Sequence, residues 1–178
     1  NLNHRLKISK NKISERKKAI KHNIEIKEVH DFSEFWNQVL IPNLKNKYNT
    51  RPVHSLEEIT LLKKKFSKNI RQFNAYLGGE IVAGTTIFET ELVAHSQYIS
   101  VSEEKNKLGS LDFLHLHLIE NVFSEKKYFD FGISNEKQGK HINKGLNFWK
   151  EGFGARTITQ DFYRINFENI NNLDTIFI

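Results

Sequence analysis

Residues 70–102 read IRQFNAYLGGEIVAGTTIFETELVAHSQYISVS, and the period of this stretch decides the fold. Apolar residues recur every second position in IRQFNAYL (70–77) and EIVAGTTIFET (80–90). That period describes strands with one covered face. Gly78 and Gly79 separate the two runs, and a two-residue glycine pair is a strong hairpin signal because the tight turn needs positive φ at both positions. LVAHSQYISVS (92–102) follows after a short turn, so three antiparallel strands are expected in a row. On strict alternation, Tyr98 and Ser100 share one face of the third strand, and His95 and Gln97 share the other.

Downstream the period lengthens. LGSLDFLHLHLIENVFS, starting at Leu108, places Leu108, Leu111, Leu114, Leu118 and Val122 at helical spacing. KYFDFG (127–132) reads as a short strand. KQGKHINKGLNFWKEG reads as a helix with Ile142, Leu146, Trp149 and Phe153 inward, and ARTITQDFYRI (155–165) as a last strand. A strand, a helix and a strand in succession predict that the third meander strand and 127–132 run parallel. Upstream, ISERKKAIKHN (13–23) is a basic helix and IEIKEV (24–29) a strand. Asp31 caps a helix carrying Phe32, Phe35, Trp36, Val39 and Leu40, which Pro42 kinks or ends. Ser55 and Glu58 form a capping box for a further helix with Leu56, Ile59, Leu62 and Phe66 on one face. The expected fold is α/β (α+β): a mixed sheet, an antiparallel meander followed by a parallel strand, with helices on both faces. A sheet that changes direction at one strand offers a natural ligand crevice there.

The length of 178 residues fits one domain, and 38% hydrophobic with 27% charged residues is a globular profile. The net charge of +6 sits in residues 1–28, where nine basic residues face three acids, so the remainder sums to zero. No sustained apolar period precedes Ile13, so residues 1–12 are expected to be a basic arm or connector and 13–178 the domain. The basic segment suits phosphate, nucleic acid or an anionic surface, or is simply a solvated helix face. With no cysteine, thiolate catalysis, disulfides and Cys-zinc sites are excluded. His115 and His117 point about 200° apart on a helix and cannot share an ion, so no metal is expected. No apolar run reaches the roughly 18 residues of a membrane span. The opening residues also lack a signal-peptide core, and a cytoplasmic location is expected. The chain opens on Asn1, which is read as a fragment or a processed product.

The order of elements resembles the Gcn5-related N-acetyltransferase (GNAT) fold. YFDFGISNEKQGKHINKGLNFWKEGFGAR (128–156) resembles the signature of its FemAB-like branch: a strand ending in Asp-Phe-Gly, a loop, and a helix ending in Gly-Leu, aromatic-Lys and Gly-Phe-Gly. RKKAIKHN, GGEIVAGT (78–85) and AHSQYIS (94–100) extend the likeness over most of the chain. The resemblance implies an N-acyltransferase moving an acyl group from an activated donor, acetyl-CoA or another acyl-CoA, to an amine of an amino sugar, amino acid or cell-envelope precursor. Two alternatives stand beside it: an aminoacyl-tRNA-dependent peptidyltransferase domain, and a non-catalytic half that binds a partner or ligand. A tandem acyltransferase domain or a homodimer is the implied assembly, with tRNA a less favoured partner.

The same resemblance implies roles for single residues. Lys150 stabilises the oxyanion of acyl transfer, or serves only as a helix-end charge. Gly152 and Gly154 end the helix and turn the chain. By position on the third strand and its neighbouring loop, His95 or Tyr98, Asp130 and Glu136 are candidate acid–base groups, Glu136 the better base because its loop looks open. His95, Gln97, Ser134, Asn135 and Trp149 are candidates for the acceptor site. The donor diphosphate is expected at the start of the helix near residue 110, through Val101, Lys105, Lys107, Leu108, Gly109 and Ser110. There the sequence departs from the family pattern R/Q-x-x-G-x-G/A, because Leu108 or Lys107 stands where the first glycine belongs. That departure admits a larger acyl donor.

Overall fold

A computed structural model describes residues 7–161 together with Arg164, Asn166 and Glu168. Helix α1 (Lys10–Lys21) leads into β1 (Glu25–Val29). One helical segment follows: α2 (Ser33–Phe35), a π turn over Trp36–Leu40, and α3 (Ile41–Tyr48). Then come α4 (Leu56–Lys65), β2 (Ile70–Leu77), β3 (Glu80–Glu89), β4 (Val93–Val101), α5 (Ser110–His117) with a π turn to Val122, and β5 (Tyr128–Asp130). A small hairpin, β6 (Asn135–Glu136) and β7 (His141–Ile142), precedes α6 (Lys144–Glu151).

Strands β1 to β5 form one sheet in sequence order. The first three junctions are antiparallel and the last, β4 with β5, is parallel. Gly78 and Gly79 hold the β2–β3 turn at φ 58° and 87°. One face is covered by α2 to α4, where Phe32, Phe35, Trp36, Val39, Leu40 and Ile59 pack with Ile70, Tyr76, Ile81 and Tyr98. The other face takes α1 and α5, through Ala19 on Ala75, Val82 and Ala83, and through Leu114 and Leu118 on Phe73, Ile87 and Ala94. Phe131 and Phe153 join Leu116 and Ile119 to attach α6.

Several local expectations need correction. Pro42 does not end its helix. The π turn over Trp36–Leu40 shifts the register so that Pro42 lies in the first turn of α3, where a missing N–H is harmless. The helix expected from Lys137 begins only at Lys144, with Asn143 as its cap. Lys137, Gln138 and Gly139 all hold positive φ in the β6–β7 turn, which no helix tolerates. Ile142, expected inward, is therefore exposed. Residues 155–161 form no strand, and Phe162, Tyr163 and Ile165 lie outside the described residues. At the other end, Ser9 caps α1 by accepting the Lys12 N–H, and Lys12 is buried, so the packed fold begins ahead of Ile13. Residues 1–6 lie outside the described residues. The Ser55–Glu58 capping box is present as expected.

Candidate active site

Strands β4 and β5 pair only from Val93–Tyr128 to His95–Asp130. There β5 ends, while β4 runs on to Val101 paired with β3 alone. The result is a fork, and among the described residues one edge of β4 beyond His95 has no neighbouring strand. Just inside it the β3–β4 register shifts: Ile87 faces Ser96 but Thr86 faces Tyr98, so Gln97 is an extra, bulged residue. A bulge reverses the alternation of faces. Ala94 lies toward α5 before it, and Ile99 and Val101 lie toward α5 and its neighbours after it. His95 stands opposite Phe88, which packs with the α2–α4 core. His95 therefore shares that face with Tyr98 and Ser100, against the expectation from simple alternation.

The last rung of the parallel pairing holds the most reactive-looking group. His95 Nδ1 donates to Asp130 Oδ2 at 2.7 Å, and Asp130 Oδ1 accepts the Gly132 N–H at 2.8 Å. The Asp130 bond raises the His95 pKa, with burial and the nearby Lys150 charge opposing it. The same bond lowers the Asp130 pKa, helped by the Gly132 N–H and opposed by burial. Nε2 of His95 meets Gln97 Oε1 at 3.0 Å.

Lys150 reaches the same place from α6. Its Nζ donates to the carbonyls of Gly132 and Ile133 at 3.0 and 2.6 Å. It is only 6% exposed. Burial brings its pKa down to about 8, against the pull of Asp130. Trp149, expected to be the buried partner of the pair, is half-buried and donates Nε1 to Asp112 at 2.7 Å. Lys150 is the more buried of the two, because the carbonyls of the Gly132 turn give the ammonium partners in the interior, while Trp149 still packs on Phe131 and Phe153.

Tyr98 is buried edge-on against Trp36, and its oxygen accepts the His54 N–H at 3.1 Å and meets His54 Nδ1. Burial raises its pKa. Ser100 Oγ accepts from Asn43 at 2.7 Å, while Asn43 Oδ1 is buried without a partner. His54 and Asn43 escaped the sequence reading. The one available signal was the broken RPVHS stretch, whose histidine has no periodic neighbours. Glu136 lies apart from this cluster, on the exposed hairpin, where it accepts from Asn143 at 2.8 Å and lies 3.9 Å from His141. Asn135 is exposed beside it, and the Ser134 carbonyl accepts the Asn143 N–H. The structure thus gathers His95, Gln97, Tyr98, Asp130 and Lys150, and leaves Ser134, Asn135 and Glu136 at the rim. Among the described residues no group of three carboxylates and histidines is placed to hold a metal.

The expected donor seat, at the first turn of α5, is filled by the chain itself. Gly109 holds φ 70°, and a side chain there would collide with the Glu15 carbonyl of α1. Lys12 Nζ bonds Asp112 at 2.8 Å and lies 4.7 and 4.3 Å from the Trp149 and Phe153 ring centres. Burial lowers the Lys12 pKa, and Asp112 opposes that shift. Val101 and Leu108 put their side chains into the core. Ser110 is 1% exposed, and its Oγ has no partner among the described residues. Lys107 is exposed and lines a groove of about 440 Å³ between α1, α5 and α6 with Lys18 and Phe148. The side chain of Lys105 is outside the described set. A diphosphate does not fit the first turn of α5 as it stands: α1 covers the loop, and Asp112 offers it a negative charge.

Residues 17–151 match the family model described as an acetyltransferase (GNAT) domain. A search of curated proteins finds no match. Among solved structures, an aminoglycoside acetyltransferase from an uncultured soil metagenomic sample, in complex with sisomicin, shares 16% identity. It aligns over 83% of this chain and 99% of its own with a TM-score of 0.56. The C-terminal domain of an Agrobacterium fabrum protein assigned as a lysylphosphatidylglycerol synthetase shares 14%, over 83% of this chain and 51% of its own, with a TM-score of 0.58. A Trypanosoma brucei acetyltransferase shares 19%, over 80% and 99%, with a TM-score of 0.55. At these identities the likeness is one of fold, and the five-stranded mixed sheet is the shared frame.

Proposed function

The chain belongs to the acetyltransferase (GNAT) domain family, and from that premise we propose that it is an N-acyltransferase whose chemistry takes place at the β4–β5 fork. The observation that carries this reading is the His95–Asp130 pair on the last rung before the strands part. An acceptor amine attacks an activated acyl carbonyl. The new N–C bond forms as the C–S or C–O bond of the donor breaks, and the thiol or alcohol leaves. His95 takes the proton that the amine must lose, and Asp130 fixes the ring by holding Nδ1–H. The free edge of β4 beyond Gln97 offers backbone groups to an extended, amide-bearing donor, in the manner of an added strand. Lys150 clamps the Gly132–Ile133 turn and sets a positive charge beside the site, where negative charge develops on the carbonyl oxygen.

GNAT acetyltransferases generally take acyl-CoA as donor. The covered first turn of α5 gives its diphosphate no seat, so recognition here rests on the acyl end of the donor. The acceptor is an amine of a small molecule or peptide, with amino sugars, amino acids and cell-envelope precursors the classes favoured by the FemAB-like sequence features. One observation favours a second donor class. Lys18 of α1 and Lys107 line the groove, Lys10, Lys17 and Lys21 are exposed on the adjoining side of the same helix, and an aminoacyl-tRNA would meet that basic helix. A thermal-shift and transfer panel of acyl-CoA thioesters and aminoacyl-tRNAs tests both. Transfer that His95→Ala abolishes supports the fork. Transfer by His95→Ala at the wild-type rate with every active donor removes it. A steep salt dependence selects the tRNA.

A further inference from the structure

Helix α4 (Leu56–Lys65) has two faces of different character. Ile59 is buried in the core, and Lys63 turns inward to donate to the carbonyls of Ser67 and Ile70 at 2.8 and 2.7 Å. On the opposite side, Glu57, Thr60, Leu61 and Lys64 recur at spacings of three and four, and all four are exposed. With Leu56 they line a shallow depression of about 450 Å³. Leu61, at the middle of this face, is 52% exposed. Val53, just before the helix, and Phe66, at its C-cap, are also exposed, so large apolar side chains stand uncovered at both helix ends.

The charges of α4 are sorted by sign. Glu57 and Glu58 stand in the first turn, and Lys63, Lys64 and Lys65 in the last. Glu58 belongs to the capping box and Lys63 to the two carbonyls. Glu57 and Lys64 enter no ion pair among the described residues. Such a face is complementary to itself. A two-fold axis midway between Thr60 and Leu61 lays a second α4 antiparallel on the first. Glu57 then lies opposite Lys64 of the second copy, Lys64 lies opposite its Glu57, and the two Leu61 side chains meet at the axis. The rise between Glu57 and Lys64 is about 10.5 Å in both copies, so the two charge pairs close together. The antiparallel helices also set the positive end of each dipole beside the negative end of the other. A partner of one sign, such as a nucleic acid or an anionic bilayer, would meet like charge at one end of this face.

We propose that the exposed face of α4 is a dimerisation surface, and that its occupant is α4 of a second copy of this chain. The second copy is favoured because acids at one end and lysines at the other are matched by the same face rotated by half a turn. No other sequence is needed to supply the complement. The contact is short. Helix α4 has ten residues and spans about 15 Å, which puts the interface at the small end of specific interfaces. Association is therefore reversible and depends on protein concentration.

Sedimentation equilibrium of the whole chain over a range of concentrations, without donor or acceptor, tests the proposal. The wild type is expected to pass from monomer to dimer as concentration rises. Glu57→Lys and Lys64→Glu each set like charges against one another at both pairs, and each should raise the dissociation constant on the order of tenfold or more. The double variant Glu57→Lys, Lys64→Glu restores opposite charges across the axis and should dimerise again. An equal mixture of the two single variants should form a heterodimer, because the lysines of one then face the glutamates of the other. Leu61→Asp, which brings two carboxylates together at the axis, should abolish the dimer. All three positions are exposed, and thermal melts check that each variant is folded. A wild type that stays monomeric at every concentration would overturn the proposal. So would a dimer that the charge reversals and Leu61→Asp leave intact, since its contact would then lie on another face. Single variants that lose the dimer but fail to pair with each other would also overturn the antiparallel register. None of these outcomes depends on acyl transfer, so the dimer and the fork are tested separately.

Discussion

The two ends of β4 treat polar groups in opposite ways. At the fork, His95 and Asp130 pair in partial contact with solvent, with side-chain exposures of 30% and 52%, and among the described residues the strand edge beyond them faces no other strand. At the α5 end, Lys12 and Asp112 pair at 4% and 11% exposure, roofed by Trp149 and Phe153. Both are ion pairs joining distant parts of the chain. The first is built on strands that diverge, so space remains for a reactant. The second is built where α1 and α6 converge on one helix start, so the pair itself is covered and only the groove beside it stays open. Two ion pairs at the two ends of one strand thus differ in whether the elements that carry them part or converge.

The largest effect should come from the open pair. His95→Ala is expected to lower turnover by about 10²- to 10⁴-fold, the usual contribution of a positioned general base. The pH profile carries more detail. Activity should rise as His95 loses its proton, at a pH above the ordinary histidine value, because Asp130 raises its pKa. It should fall again as Lys150 is neutralised near pH 8. Asp130→Asn should move the rising limb to lower pH, since the raising partner is removed. Stability follows the signs of the shifts. The raised His95 pKa contributes stability present below the unfolded value and lost as pH rises through the folded one. The depressed Asp130 pKa contributes stability present above its unfolded value and lost as pH falls through the folded one. A pH profile unchanged in Asp130→Asn would break the assignment of the fork pair.

The sealed pair should respond in stability instead. Lys12→Met leaves Asp112 buried with only the Trp149 N–H, and breaking such a pair typically costs about 3–5 kcal/mol. The double variant Lys12→Met, Asp112→Asn removes both charges and should recover most of that loss. Chemical denaturation measures both. A single variant as stable as the wild type would mean that this end of β4 is looser than its contacts show.

How far the sequence announced this contrast can be judged residue by residue. The meander, its Gly78-Gly79 turn, the parallel β5 and the Ser55–Glu58 cap were legible because each rests on local period or turn chemistry. The bulge at Gln97 was not, since only the partner strand's register reveals an extra residue. That single feature moved His95 to the face of Tyr98. The burial of Lys150 was also hidden: its partners are backbone carbonyls seventeen and eighteen residues away, which no side-chain pattern encodes. Lys12 looked like part of a solvated basic run, and its burial depends on Asp112, one hundred residues along the chain.

Lys150 belongs to both behaviours, and its variant sharpens the comparison. Read from sequence as an oxyanion-stabilising group or a helix-end charge, it now has a structural duty as well. Lys150→Ala leaves the Gly132 and Ile133 carbonyls without their donor, at about 1–3 kcal/mol for an unsatisfied buried group. A fall in both melting temperature and turnover is expected. Lys150→Met, which keeps the apolar stem, should recover packing but neither the carbonyl bonds nor the rate. Full turnover in Lys150→Met would reduce this residue to a clamp.

The smallest effect, and the one of opposite sign, concerns Ser110. Its hydroxyl is buried at the start of α5 with no partner among the described residues. If the first turn of α5 were a donor seat, this hydroxyl would be waiting for a phosphate oxygen, and Ser110→Ala would weaken donor binding. If the seat is closed, the hydroxyl is only an unmet hydrogen-bonding group, and burying one of those is unfavourable. Ser110→Ala should then leave the affinity for any acyl donor unchanged. The protein should be equally stable or slightly more so, by less than about 1–3 kcal/mol, the range for leaving such a group unsatisfied. Isothermal titration and thermal melts on the same variant separate the cases. A several-fold loss of acyl-CoA affinity at unchanged melting temperature would reopen the α5 end of β4 as a binding site. It would also require α1 to move aside when the donor arrives, because Glu15 and Asp112 now hold the space that its phosphates need.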